Sequence, residues 1–320
     1  MLSPVALAGH SLNLYLSTCT YPPLARRYLL KYGGAPVARE GAVEPDVDSS
    51  FEWQDGHFVW FEVPIKSDSA AIPLPPGTTL ASNTATIFVA WYPTARLNKE
   101  AGISSVASDN FPYHEMGIRI PVKTADGAVY WHVVYILVDD EIALLLGRDM
   151  LGTPKKMAEF RFNDGKTLTE EGGSADFSIS RRGVDVMKFV GTTAGERALD
   201  SAVPGLTDDD QTDLSVFAAQ FPLHFGEGGE GAPMYVEWKG GWELLESREV
   251  VDAQVVFSQE AEECIGAFLE DEVVRAGALR WNYGKSKDLR SRPTVGKVES
   301  EEEGREYWEA TYQLKYGGLV

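Results

Sequence analysis

The chain has 320 residues, enough for one large or two small domains with a real core, and its 44% hydrophobic and 24% charged residues place it among ordinary globular proteins. A net charge of −19 argues against DNA, RNA and anionic membrane surfaces as partners. No run approaches about 18 consecutive apolar residues, so no membrane span is expected, and two distant cysteines, Cys19 and Cys264, offer neither a disulfide framework nor metal-ligand spacing, which makes a reducing cytoplasm the expected compartment.

Residues 1–50 read as an N-terminal extension and residues 51–320 as one β-rich domain. Residues 1–16 are mildly apolar but lack a basic flank, so they are read as mature protein rather than a signal peptide. Residues 30–34 recur at 314–318, which is too little to claim a repeat. From Phe51 the pattern turns to strands. Residues 57–65 are aromatic and β-rich, and the prolines at 73, 75 and 76 break the run. Residues 85–92 form a good strand with both faces apolar: Ile87, Val89 and Trp91 on one side, Phe88, Ala90 and Tyr92 on the other. That predicts a central or barrel position. Residues 116–122 and 129–138 flank Asp126-Gly127, a hairpin signal.

The apolar run 142–146 reads as a buried strand leading into Gly147-Arg148-Asp149-Met150-Leu151-Gly152-Thr153-Pro154-Lys155-Lys156. Gly147 and Gly152 permit turns there, and Pro154 holds Thr153 extended. Beyond it, residues 160–162, 175–180 and 184–190 predict meandering strands, followed by a polar linker around Asp208-Asp209-Asp210. Residues 216–225, 234–238 and 250–257 predict more sheet. The glycine-rich stretch 226–231 is not a phosphate loop, because no helix start or lysine follows in register. A helix is expected after Ser258, with Ala261, Cys264, Ile265, Phe268 and Leu269 on one face. Residues 280–297 are basic with Trp281 and Tyr283 interleaved, read as a solvated loop in so acidic a chain. Residues 307–316 alternate as a final strand. The sum is a strand-dominated, antiparallel-leaning α+β protein with few packed helices, built as a closed or half-closed barrel.

The two lysines at 155 and 156 draw attention. Lysines are normally solvated, and one held among apolar groups is costly unless its amine is neutral. An amine condenses with a ketone only when unprotonated, and an ordinary lysine is almost wholly protonated at neutral pH. If the segment is extended, successive side chains diverge, so Lys156 need not sit beside Lys155. Without further context, Lys155 reads as a surface lysine in a loop.

Context comes from two blocks. Gly147-Arg148-Asp149 followed by Pro154-Lys155-Lys156 resembles the signature of the acetoacetate decarboxylase superfamily. Tyr113-His114-Glu115-Met116-Gly117-Ile118-Arg119-Ile120-Pro121-Val122 is similar to the family's segment of tyrosine, one residue, glutamate and a strand ending in Pro-Val. The blocks stand in the family's order, and the best-matched core spans residues 84–256, most closely up to 165. The resemblance implies a β-barrel-like body with helices outside and a buried amine inside, a small keto-acid substrate and assembly into a homo-oligomer; the residues themselves show no metal-ligand spacing and no dinucleotide fingerprint, so no cofactor or metal is expected. It makes Lys155 the Schiff-base lysine, Lys156 its neighbour and Glu115 the proton-handling carboxylate, with Arg148 and Tyr113 in support. Acetoacetate decarboxylase is itself the standard example of a lysine activated in this way, so that part of the reading is inherited.

The implied function is a lyase acting through a lysine Schiff base on a keto acid, in the first instance decarboxylating an acetoacetate-like 3-oxo acid. The alternatives are an aldolase-dehydratase or cyclase using the same iminium on a larger 2-oxo acid, and a non-catalytic binding barrel. The departures from the family favour keeping all three. The family's second glutamate aligns with Val89 here, and its N-terminal pocket arginine with Phe58; Lys66 and Arg26 are merely nearby in sequence. Trp91, Tyr113, Trp131 and Tyr135 suit a larger pocket, though each is as readily core. His114, one residue from Glu115 on a strand, is expected to point away from it and to pack, as is His132. Arg148 is expected to hold its loop or a subunit contact, with a substrate carboxylate as the alternative.

Overall fold

The structure, a computed structural model, describes residues 51–66, 72, 74–75, 77–97, 110–145, 155–162, 170–196, 216–220, 234–238, 242–258, 265–283 and 294–297. All lie in one compact unit, Val43–Val320. In chain order the elements are β1 (Phe51–Pro64), β2 (Thr78–Leu80), β3 (Thr84–Tyr92), β4 (Thr94–Leu97), β5 (Tyr113–Thr124), β6 (Val129–Val138), α1 (Glu141–Leu145), β7 (Lys155–Met157), β8 (Glu159–Phe162), β9 (Phe177–Arg181), β10 (Val184–Glu196), β11 (Val216–Gln220), β12 (Met234–Trp238), β13 (Trp242–Phe257), α2 (Ile265–Phe268), β14 (Arg275–Tyr283) and β15 (Thr294–Lys297). The strand-dominated α+β reading holds.

One sheet runs β15, β12, β11, β6, β5, β3, β1, β14, β13, β10, β9, β8, with β2 added on β5, β4 on β1 and β7 on β6. Its pairings are antiparallel except where β6 meets β7 and β11. The hairpin signal at Asp126-Gly127 is present, and a second tight turn joins β9 to β10. Gly127 has φ 91° between β5 and β6, where Thr124 and Asp126 tie the hairpin. Arg182 and Gly183 join β9 to β10 with φ 53° and 80°, the left-handed pair that matches strand twist in a two-residue hairpin.

The sheet comes round on itself through one segment. β7 pairs with β6, Ile136 opposite Lys155, and β8 pairs with β9, Phe160 opposite Ile179. Only Ala158 separates β7 from β8, and its N–H donates to the Val138 carbonyl at 2.8 Å. The stretch from Lys155 to Phe162 therefore bridges both ends of the ring formed by β6, β5, β3, β1, β14, β13, β10 and β9. Ring stacking supports the same seam: His114 of β5 lies 4.7 Å from Phe162 and 5.6 Å from Phe160 of β8.

Two apolar clusters follow from strand alternation. The first draws on every strand of the ring, with Phe61, Ile87, Val89, Met116, Ile118, Leu137, Phe177, Phe189 and Val255 among its members, and α2 adds Ile265 and Phe268. It fills the barrel. The second lies on the opposite face of β14, β1, β3, β5 and β6, and gathers Phe58, Trp60, Phe88, Ala90, Tyr92, Tyr113, Ile136 and Trp281 with Ala143 of α1. The doubly apolar pattern of β3 serves both.

The run 142–146 was expected as a strand, and its described part is the helix α1 instead. Asp140 caps it, accepting from the Ala143 N–H at 2.9 Å through its side chain and from Leu144 through its carbonyl. Periodicity cannot separate strand from helix in so short an apolar run, and the capping aspartate decides. The helix expected after Ser258 is described only as α2. The expected features at 147–154, 208–210, 226–231 and 307–316 lie outside the described residues.

Candidate active site

β5 sorts its side chains by alternation. Met116 and Ile118 enter the barrel, while Tyr113, Glu115, Gly117 and Arg119 look onto the second cluster. Glu115 stands opposite Ala90 on β3 and Val138 on β6. Lys155, opposite Ile136, emerges on the same face, and its Nζ donates to Glu115 Oε2 at 2.7 Å. Lys155 is 6% exposed and Glu115 8%. The resemblance's buried amine is thus present, set in the second cluster and not in the barrel interior. The Nζ also lies 5.6 Å from the ring centre of Tyr113. That ring is fixed by Trp53, whose Nε1 donates to the Tyr113 hydroxyl at 3.0 Å, and by Tyr92, 4.9 Å away. Burial, and then the charge of Glu115, push the Tyr92 and Tyr113 phenols well above the usual tyrosine range, so both stay protonated.

Arg119 completes the face, and the sequence reading missed it. Phe88 folds its ring across Gly117, where a Cβ would lie 2.4 Å from the ring atoms; only glycine admits this. Phe88 stacks on Phe58 at 5.1 Å, and the Arg119 Cζ sits 4.4 Å from the Phe88 ring centre. Because Phe88 is opposite Gly117, the guanidinium is carried back toward Glu115. Arg119 is 9% exposed, and among the described residues its Nε has no hydrogen-bond partner. Burial holds its pKa below the usual arginine value against the opposing pull of Tyr92 and Glu115. The signal was available: positions 115, 117 and 119 share a strand face.

The other sequence candidates fall elsewhere. Lys156 is buried but follows Leu137 onto the other face, so it does not join Lys155. Arg148 and Arg26 lie outside the described residues. His114 points away from Glu115, as expected, stacking 4.3 Å from Trp91 while Nδ1 meets Asp139 Oδ2 at 2.6 Å. Trp91 shares that face, and Trp131 stands opposite Pro121 at the far end of β5, so neither borders the lysine. Tyr135's side chain is outside the description. Val89 points into the barrel and cannot occupy a position facing Lys155; the β3 residues on that side are Phe88, Ala90 and Tyr92. Phe58 is in the site wall. Lys66 instead bonds the Gly266 carbonyl. His132 is buried. Among the described residues no three His, Cys, Asp or Glu side chains could hold a metal, and no helix is long and apolar enough to cross a membrane.

A barrel with a buried, hydrogen-bonded lysine–glutamate pair beside aromatic walls defines a class. The acetoacetate decarboxylase (ADC) family model matches residues 35–221, and the chain belongs to that family. Solved structures agree in fold. One described as an acetoacetate decarboxylase has a TM-score of 0.62 at 11% identity, covering 85% of this chain and 98% of that one. Acetoacetate decarboxylase from Legionella pneumophila subsp. pneumophila str. Philadelphia 1 gives 0.61 at 12% identity, covering 92% and 100%. The enduracididine biosynthesis enzyme MppR, complexed with the condensation product of pyruvate and imidazole 4-carboxaldehyde, gives 0.56 at 19% identity, covering 74% and 86%. No curated protein matches the chain in sequence.

Proposed function

We propose that this chain is a lyase working through a Schiff base on Lys155, with a short oxo acid as substrate. The buried hydrogen bond from Lys155 Nζ to Glu115 Oε2 at 2.7 Å carries the reading. One proton moved across that bond converts an ammonium–carboxylate pair into a neutral amine and a neutral acid. The amine adds to the substrate carbonyl carbon, a proton passes from nitrogen to the new alkoxide, and Glu115 returns its proton as the hydroxyl leaves as water. The product is an iminium, an electron sink next to the substrate's remaining groups.

Two fates of that iminium fit the site. A 3-oxo acid loses carbon dioxide as the carbon–carboxylate bonding pair flows into the iminium; the enamine is then reprotonated and hydrolysed to a ketone. A 2-oxo acid instead yields a proton from its neighbouring carbon to Glu115, and the enamine adds to an aldehyde before water is lost. A specific observation favours this second course: the β3 face beside Glu115 offers Phe88, Ala90 and Tyr92 and no second carboxylate. MppR, similar in fold, is described with pyruvate bound.

Borohydride trapping tests the proposal. Incubation with acetoacetate or with pyruvate, then reduction, is expected to add mass to the peptide containing Lys155, and Lys155→Ala to abolish the adduct. Carbon dioxide release from the first substrate, or water loss when pyruvate is paired with an aldehyde, separates the two fates. No adduct with any oxo acid would leave a non-catalytic binding barrel.

A further inference from the structure

The candidate site holds two cations, Lys155 and Arg119, and one carboxylate, Glu115, so it carries one positive charge within a chain whose net charge is −19. Glu115 is bonded to Lys155, and among the described residues no acceptor reaches Arg119 Nε. A buried guanidinium resting on a single aromatic face is costly, because cation–π attraction replaces only part of the hydration lost. The arrangement is nonetheless enforced twice over: Gly117 lets Phe88 lie flat, and Phe58 stacks beneath it at 5.1 Å. A buried guanidinium held in place with an unpaired N–H is suited to binding a carboxylate through charge-assisted hydrogen bonds.

We infer that Arg119 anchors a carboxylate of the substrate while Lys155 takes its carbonyl; this rests on the Schiff-base reading above. The spacing limits the substrate. The amine reaches Glu115, and the guanidinium lies over a ring placed across Gly117, two residues further along β5. Two strand residues span about 7 Å, which suits a short oxo acid bridging the two cations. Pyruvate, which carries its carboxylate beside the carbonyl, is the simplest probe of this anchor.

Pyruvate and acetone differ by that carboxylate alone. Their borohydride trapping rates on Lys155 are compared with the same pair reacting with butylamine, in the wild-type chain, R119M and R119K. The wild type is expected to prefer pyruvate, relative to butylamine, by about tenfold or more over R119M, with R119K between them. Propionate, but not propionamide, is expected to slow trapping in the wild type, which tests the anchor even if R119M fails to fold. An equal pyruvate preference in wild type and R119M, or equal effects of propionate and propionamide, would overturn the inference. If pyruvate, acetone and acetoacetate all fail to be trapped, the Schiff-base reading falls, and binding of propionate against propionamide to the wild type by ligand-observed NMR decides Arg119 separately: selective binding keeps it as an anion site, and no selectivity removes it.

Discussion

Glu115 carries two assignments that a single substitution separates. As the proton carrier for Lys155, it acts in the rate of imine formation; as a structural carboxylate, it acts in stability alone. Glu115→Gln keeps the shape and removes the proton traffic. Single-turnover trapping is expected to slow roughly 10²–10⁴-fold, the usual contribution of a positioned acid–base group. Unchanged trapping with a lowered urea midpoint would assign Glu115 to structure. At this scale the sequence was most informative where the motifs singled out residues: Lys155 and Glu115, named from two separate blocks, are hydrogen-bonded in the structure. It was least informative for Arg119, whose placement depends on a ring from another strand. The position aligned with the family's second glutamate, Val89, faces the barrel interior and not Lys155, a side-chain direction that depends on strand register.

Strands β3 and β5 make the site's floor, and their close approach depends on one missing methyl. An added Cβ at Gly117 would meet Phe88 Cε1 and Cζ at 2.4 Å, and Phe88 is 1% exposed and pinned by Phe58. Gly117→Ala is expected to destabilise by about 1–3 kcal/mol, the usual cost of overpacking, measured by urea unfolding. Adding Phe88→Leu is expected to recover part of that loss, because the obstruction is the ring; additive losses would place the strain elsewhere. Most strands were legible from alternation and turn chemistry, as in β3 and the Asp126-Gly127 hairpin; residues 280–297, expected as a solvated loop, instead begin with the end of β14, where Trp281 is buried, and end in β15. The helix α1 was not legible, since five residues give periodicity no purchase and Asp140's cap was passed over.

For the whole molecule, the buried phenols set an alkaline limit. Tyr92 and Tyr113 have folded pKa values raised well above those of free tyrosine. Above about pH 10 an unfolded chain releases protons that the folded chain retains, so their contribution is full below that pH and lost as pH rises further. The urea midpoint of the Tyr92→Phe, Tyr113→Phe chain is expected to fall less steeply above about pH 10 than that of the wild type; parallel curves would show that these phenols do not govern the limit. The barrel itself was foreseen in kind from the apolar faces of β3. Which segment closes it was not legible, because residues 155–162 pair with strands on both sides that no local pattern reveals.

That segment also decides when the pair can form. Lys155 is carried by β7, which pairs with β6, and Glu115 by β5, so their 2.7 Å bond requires β5, β6 and β7 to be joined. On the Schiff-base reading proposed above, a chain in which that joint is open is expected to present at position 155 an ordinary hydrated ammonium and to trap oxo acids no faster than free lysine.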